Sequence, residues 1–162
     1  ALYGERGEVD TSITMKIGKA RTIRPGKAIT IVSLGQMVNI CKGAIEVSGI
    51  DAELIDLATI VPWDQDAVLE SVKKTGRLVV VEEAPESGGW GSEIVATITA
   101  QLFNSLKGAP FRITTPDVPM PYSGVLESRF IPTQDDIIRQ LTHALATGEK
   151  PKTWWQAEGI SQ

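Results

Sequence analysis

Four short apolar, β-branched runs recur along the chain with helix-period segments between them: AITIVSLG (28–35), AELIDLATI (52–60), RLVVVEEA (77–84) and FRITTPD (111–117). No other feature narrows the possible folds so far. Strands that alternate with helices build βαβ units, and these assemble into a mostly parallel sheet covered by helices on both faces. The near-continuous apolar character of residues 28–35 and 77–84 marks inner strands buried on both sides. MKIGKARTIRPG (15–26) adds a strand or two and ends at a Pro-Gly turn. The expected class is α/β, a three-layer α/β/α arrangement around a mostly parallel sheet of about five strands.

The intervening segments carry their own signals. Met37, Ile40, Cys41, Ala44, Ile45 and Ser48 form one helical stripe, and Gly49 ends it. Asp64 is the expected N-cap of a helix whose inner face is Val68, Leu69 and Val72. A long helix follows with Ile94, Val95, Ile98, Leu102 and Leu106 at helical spacing, stopping at Lys107-Gly108. Thr133 to Asp136 starts a last helix with a capping box that uses Asp where Glu or Gln is usual. Its stripe is Ile137, Ile138, Leu141 and Leu145. Residues 118–132, VPMPYSGVLESRFIP, read as a proline-punctuated surface loop. The expected organisation is a linker or arm over 1–14, one domain over 15–146 and a tail over 147–162. The tail has no period but carries Trp154-Trp155, a paired aromatic expected to anchor on another surface as an interface element.

Size and charge exclude several function classes. A chain of 162 residues fits one ordinary domain. Sixteen basic against 20 acidic side chains give a net charge of −4, with no concentration of Lys and Arg, so nucleic acid is not an expected partner. No apolar run approaches the roughly 20 residues that span a bilayer, and no charged-then-apolar leader opens the sequence. The chain reads as soluble and cytoplasmic, with the mitochondrial matrix as the alternative for a fragment of a eukaryotic precursor. The single Cys41 excludes an internal disulfide and Cys-rich zinc sites, and reads as a small buried thiol.

In an open parallel sheet ligands bind beyond the carboxyl ends of the strands, so the following turns are where a site is sought. Gly88-Gly89-Trp90-Gly91 opens a helix and is a candidate anion cradle. Against that, Glu82, Glu83 and Glu86 crowd the same loop, and the spacing fails the dinucleotide pattern GxGxxG. Pro85, Gly88, Gly89 and Gly91 therefore read as a structural turn that brings helix close to sheet. Adjacent strand residues point to opposite faces, so Glu82 and Glu83 are not a catalytic dyad. His143, the one histidine, reads as a helix-surface residue, and Asp135 and Asp136 complement a helix dipole. Trp63 and Trp90 read as core residues. No catalytic, cofactor-binding or metal-binding residue is expected. The alternative is a small-ligand crevice beside Gln36, Glu83 and Asp117 in a free-standing regulatory domain.

The stretch IDLATIVPWDQDAVLESVKKTGRLVVVEEAPESGGWGSEI, followed by DVPMPY and FIPTQDDII, resembles one family. It is similar to the C-terminal domain of the beta subunit of thiamine-diphosphate-dependent 2-oxoacid dehydrogenases, most nearly pyruvate dehydrogenase, over about Leu2 to Leu145. The resemblance implies a transketolase C-terminal domain-like α/β/α fold. It also implies a division of labour in which an N-terminal domain and an alpha subunit hold thiamine diphosphate and magnesium. The domain seen here would then build contacts with the alpha subunit and a second beta subunit. It would also dock the subunit-binding domain of the dihydrolipoyl acyltransferase. Acetoin or branched-chain 2-oxo acids are alternatives to pyruvate, and the C-terminal half of a split transketolase is an alternative identity. The chain departs from the family at Glu82-Glu83-Ala84-Pro85, where relatives often have His-Glu-Ala-Pro. The acids with which some relatives grip the acyltransferase fall where this chain has Lys107, so no docking residue carries over.

Overall fold

Strands apolar on both faces need a helical layer on each side. The computed structural model, which describes residue 12 and residues 14–157, has that architecture. The elements in chain order are β1 (Arg21–Arg24), β2 (Ile29–Ser33), α1 (Gln36–Ser48), β3 (Ala52–Asp56), α2 (Gln65–Thr75), β4 (Leu78–Pro85) and α3 (Gly91–Leu102). A 3₁₀ turn (Phe103–Ser105), β5 (Phe111–Thr115), α4 (Gly124–Glu127), α5 (Gln134–Thr147) and α6 (Trp154–Ala157) complete the described chain. The sheet order is β1-β3-β2-β4-β5. The pairs β3/β2, β2/β4 and β4/β5 are parallel, whereas β1 runs antiparallel along β3. Because β3 and β4 lie on opposite sides of β2, the winding direction reverses there, and a crevice opens at the carboxyl ends of β2 and β4.

Alternation along the strands sorts the core into two layers. Ile31, Leu54, Val79, Val81 and Ile113 face α1 and α5, while Val32, Ile55, Leu78 and Val80 face α2 and α3. The helix stripes read from the sequence supply the facing side chains: Met37, Cys41 and Ile45 from α1, Ile137 and Leu141 from α5, Val68 and Val72 from α2, Ile94 and Ile98 from α3. Burial pushes the Cys41 thiol up to about 12, so it is an inert packing group. The helix ends are set locally. Asp64 Oδ1 accepts from Ala67 N (3.4 Å), Thr133 and Asp136 form the reciprocal capping box, and Gly49, Gly76 and Gly148 close α1, α2 and α5 in the left-handed region.

Two expectations are corrected. The apolar run 52–60 is a strand only to Asp56. Asp56 Oδ1 accepts from Ala58 N (3.0 Å), Ala58 takes a positive φ of 58°, and the chain leaves the sheet. The second correction concerns Trp154 and Trp155. Neither is a surface anchor, because they are 3% and 0% exposed and belong to the α1/α5 core layer. Gly148 turns the chain back over the domain, and Trp154 Nε1 donates to the Thr114 carbonyl at the end of β5 (2.9 Å). The two indoles meet edge to face, with centroids 5.6 Å apart. The 118–132 segment runs along the surface, is irregular apart from the short α4, and leaves Met120, Tyr122, Val125 and Leu126 exposed. The arm expected over 1–14 lies, residues 12 and 14 aside, outside the described residues, as do 158–162.

Candidate functional site

The strand-end face is built from two loops, and the first is the glycine turn between β4 and α3. Glu82, near the end of β4, points inward and is 1% exposed, whereas Glu83 is exposed. The Glu82 carboxylate does what a cap or a bound anion would do elsewhere. Its Oε2 accepts from Gly91 N (2.9 Å) at the N-terminus of α3, and its Oε1 accepts from Arg112 Nη1 (2.8 Å). Arg112 also donates to the Glu86 carbonyl. The first N–H of the helix is thus already satisfied by the protein's own carboxylate. Burial pushes the Glu82 carboxyl above its ordinary value, against the Gly91 N–H and Arg112, which both favour the anion.

The glycines of this turn allow the close approach. A Cβ on Gly91 would lie 2.7 Å from Val80 Cγ1 and 2.7 Å from Glu82 Oε1, and one on Gly89 would lie 2.7 Å from the Pro85 carbonyl oxygen. Gly91→Ala is accordingly expected to destabilise the fold by about 1–3 kcal/mol, as overpacking of a filled core does. Urea unfolding checks this, and an unchanged midpoint would show that α3 has room to move off the sheet.

The second loop connects β3 to α2. Thr59 Oγ1 accepts from Gly18 N (3.0 Å) and donates to the Pro62 carbonyl (2.8 Å), and Val61-Pro62 is a cis peptide. Asp64 closes the loop by accepting from Ala20 N (3.1 Å), Lys19 Nζ (3.3 Å) and Ala67 N. Burial of Asp64 opposes its ionisation, but these bonds together hold the carboxyl below its ordinary value. Asp64→Ala should therefore cost about 1–2 kcal/mol at pH 7, the scale of a lost N-cap. Because the native pKa is depressed, this contribution is present above the ordinary carboxylate value of about 4. It is lost as pH falls through the native value, so the deficit should shrink in acid. Thermal melts of both proteins from pH 7 to pH 3 check the sign.

Between the two loops lies an apolar cavity of about 300 Å³, lined by Leu57, Ile60, Val61, Pro62, Trp63, Trp90, Glu93 and Ile94. Trp63 and Trp90 are half-buried against the α2/α3 core layer, and their remaining surface lines the cavity. Val61, 87% exposed, and Ile60 stand at its rim. Glu93 is the one charged lining residue, with Oε1 accepting from Thr97 Oγ1 (3.2 Å). Such a surface can bury an apolar group from outside, and its single carboxylate, on Glu93, has no second titratable group beside it in the lining.

The other sequence-derived residues are not gathered here. Gln36 begins α1 and is half-buried, Glu83 is exposed, and Asp117 is exposed with its carboxylate held by the Ser87 hydroxyl and backbone N–H. The Ser87 bonds keep the Asp117 carboxyl below its ordinary value. None of the three lines the Trp63/Trp90 cavity. His143 is exposed on α5. Among the described residues no three His, Cys, Asp or Glu side chains form a metal-ligand set, and no helix is long and apolar enough to cross a membrane. The Glu82–Arg112 pair was not visible in the sequence. Its only trace there is a basic residue inside FRITT and an acid inside an apolar run, two strands whose register the sequence does not give.

The family profile described as the transketolase C-terminal domain matches residues 18–137. The chain is 44% identical over 142 residues to the pyruvate dehydrogenase E1 component subunit beta of Rhizobium meliloti, covering 85% of this chain and 31% of that protein. It is 43% identical over 120 residues to the mitochondrial 2-oxoisovalerate dehydrogenase subunit beta of Dictyostelium discoideum, covering 72% of this chain and 32% of that one. The chain thus spans about a third of the length of these relatives. Among solved structures, a split gene transketolase, described as an inactive beta4 tetramer, superposes with a TM-score of 0.72. It is 28% identical and is matched over 88% of this chain and 47% of its own. The two-layered core, the β1-β3-β2-β4-β5 sheet and these similarities agree, and the chain belongs to the transketolase C-terminal domain family.

Proposed function

We propose that this chain serves as the C-terminal assembly and docking domain of a 2-oxoacid dehydrogenase beta subunit, with pyruvate the favoured substrate of the assembled enzyme. Its partners are an alpha subunit, a second beta subunit and the subunit-binding domain of the dihydrolipoyl acyltransferase. In this reading thiamine diphosphate and magnesium are held by the N-terminal domain and the alpha subunit of that assembly. The observation that carries the reading is the strand-end face. At the place where open parallel sheets hold their ligands, this domain presents the apolar Trp63/Trp90 cavity with Val61 at its rim, and its nearby charged pair is turned inward. A neighbouring polypeptide, rather than a reacting small molecule, suits that surface.

Sedimentation tests it. The chain is expected to self-associate at tens of micromolar, roughly the range in which weak interfaces become visible. Val61→Asp should shift it toward monomer by placing a charge in the contact. A clean monomer for the unsubstituted chain would contradict the assembly role. Calorimetric titration with the subunit-binding domain tests docking separately, with measurable heat expected. The similarity to the split transketolase supports a second reading, one half of such an enzyme, and the higher identity to dehydrogenase beta subunits favours the first.

A further inference from the structure

The side chains on the exposed edge of α5 and on the returning tail form a groove that shares no lining residue with the Trp63/Trp90 cavity. It encloses about 410 Å³ and is lined by Arg139, Gln140, His143, Lys150, Lys152 and Trp154, together with Glu149 and Pro151. Arg139 and His143 are four residues apart on one helix face. Across from them, the segment 150–152 alternates exposed Lys150, buried Pro151 and exposed Lys152, and both lysines line the groove. The segment is fixed from both ends. Gly148 turns the chain at the end of α5, and Trp154 is anchored through its bond to Thr114. The groove is therefore held in place by the core rather than by surface contacts.

Its charges are only partly neutralised. Arg139 is paired with Asp136 through Nη2 alone. Lys150 lies 3.8 Å from Glu86, a distant exposed pair. Lys152 makes no ion pair among the described residues, and Glu149 is the one acid in the lining. A chain with a net charge of −4 thus gathers three permanent cations and its only histidine around one concavity. The α5 edge offers the planar guanidinium of Arg139, and the tail offers two point charges, a combination suited to an anion with several oxygens.

We propose that this groove binds a small multivalent anion, a phosphate ester or a polycarboxylate, between Arg139 and His143 on one wall and Lys150 and Lys152 on the other. The volume suits a compact ligand of that kind. Occupation would tie the C-terminal segment more firmly to α5, so it should also raise the melting temperature.

Pyrophosphate is the probe, titrated into the full chain by calorimetry at low and at moderate ionic strength. Binding is expected, weakening several-fold as salt rises from about 0.02 to 0.15 M because the site is surface-exposed. The double variant Lys150→Gln/Lys152→Gln should weaken it at least tenfold while leaving the circular dichroism and the ligand-free melting temperature unchanged. The variant Lys42→Gln, on α1 and outside the groove, should bind like the unsubstituted chain. No binding at several millimolar, or equal affinity for the double variant, would overturn the proposal. So would an acidic hexapeptide that binds more tightly than pyrophosphate, since that would make the groove a protein contact.

Discussion

Replacing Trp155 by alanine is expected to lower the unfolding free energy by about 3 kcal/mol, the lower end of the range for removing a buried Trp side chain. The indole is fully buried among residues of the α1/α5 core layer, which includes Ile29, Val79, Phe111 and Leu141. The lower end applies because its Nε1 is buried without a hydrogen-bond partner among the described residues. Removing the ring therefore also removes an unsatisfied donor. Trp155→Phe, which keeps most of the apolar ring and drops the N–H, should cost much less. Chemical denaturation followed by far-UV dichroism separates this from the surface-anchor expectation. An exposed anchor would leave stability within about 0.5 kcal/mol of the unsubstituted chain, as surface substitutions do, and alter association only.

Glu82→Ala should be as damaging, at about 3–5 kcal/mol, because it breaks a buried ion pair from one side. Arg112, only 16% exposed in its side chain, would lose its carboxylate partner, and the first N–H of α3 would lose its acceptor. Glu82→Gln keeps an acceptor for Gly91 N and should fall between. The pH dependence has a definite sign. The raised pKa means that the native state holds this proton more tightly than the unfolded chain does. Its contribution is therefore greatest below the ordinary carboxylate value near ~4 and is lost as pH rises through the higher native value. Relative to Glu82→Gln, which does not titrate there, the unsubstituted chain should lose stability across that window. Parallel denaturation series from pH 3.5 to 7.5 measure it, and a trend of the opposite sign would mean that Arg112 outweighs burial.

Why the sequence shows the elements and hides both of these sites follows from range. The strands and the four long helices rest on local period, and Val79 to Val81, the Met37–Cys41–Ile45 stripe and the Thr133–Asp136 capping box all appear in the structure. The end of β3 was missed because an apolar run says nothing about the Asp56-to-Ala58 bond that bends the chain out of the sheet. The Glu82–Arg112 pair depends on strand register. Arg112 sits opposite Val80, which puts it on the same sheet face as Glu82 two residues further along, and no sequence pattern carries that offset. Trp154 and Trp155 were misplaced for a related reason. Their segment is too short to show a period, and the core space they fill is created by β5 and α5 together.

The strand-end face draws on both kinds of information. Trp63 and Trp90 stand out in the sequence as large side chains beside strand ends, but the cavity between them forms where the β3–α2 loop and the start of α3 come together in the fold. The inward-turned Glu82 and Arg112 and the largely apolar cavity walls are the features on which the proposed polypeptide contact rests.

Reconstitution measures that most directly. The chain would be combined with a beta-subunit N-terminal half and an alpha subunit of the same system, with thiamine diphosphate and magnesium, and pyruvate decarboxylation would be followed. No turnover is expected from this chain alone, and activity is expected only when all three polypeptides are present. Turnover by the isolated chain, or full activity from the other two without it, would rule out an assembly role for this domain.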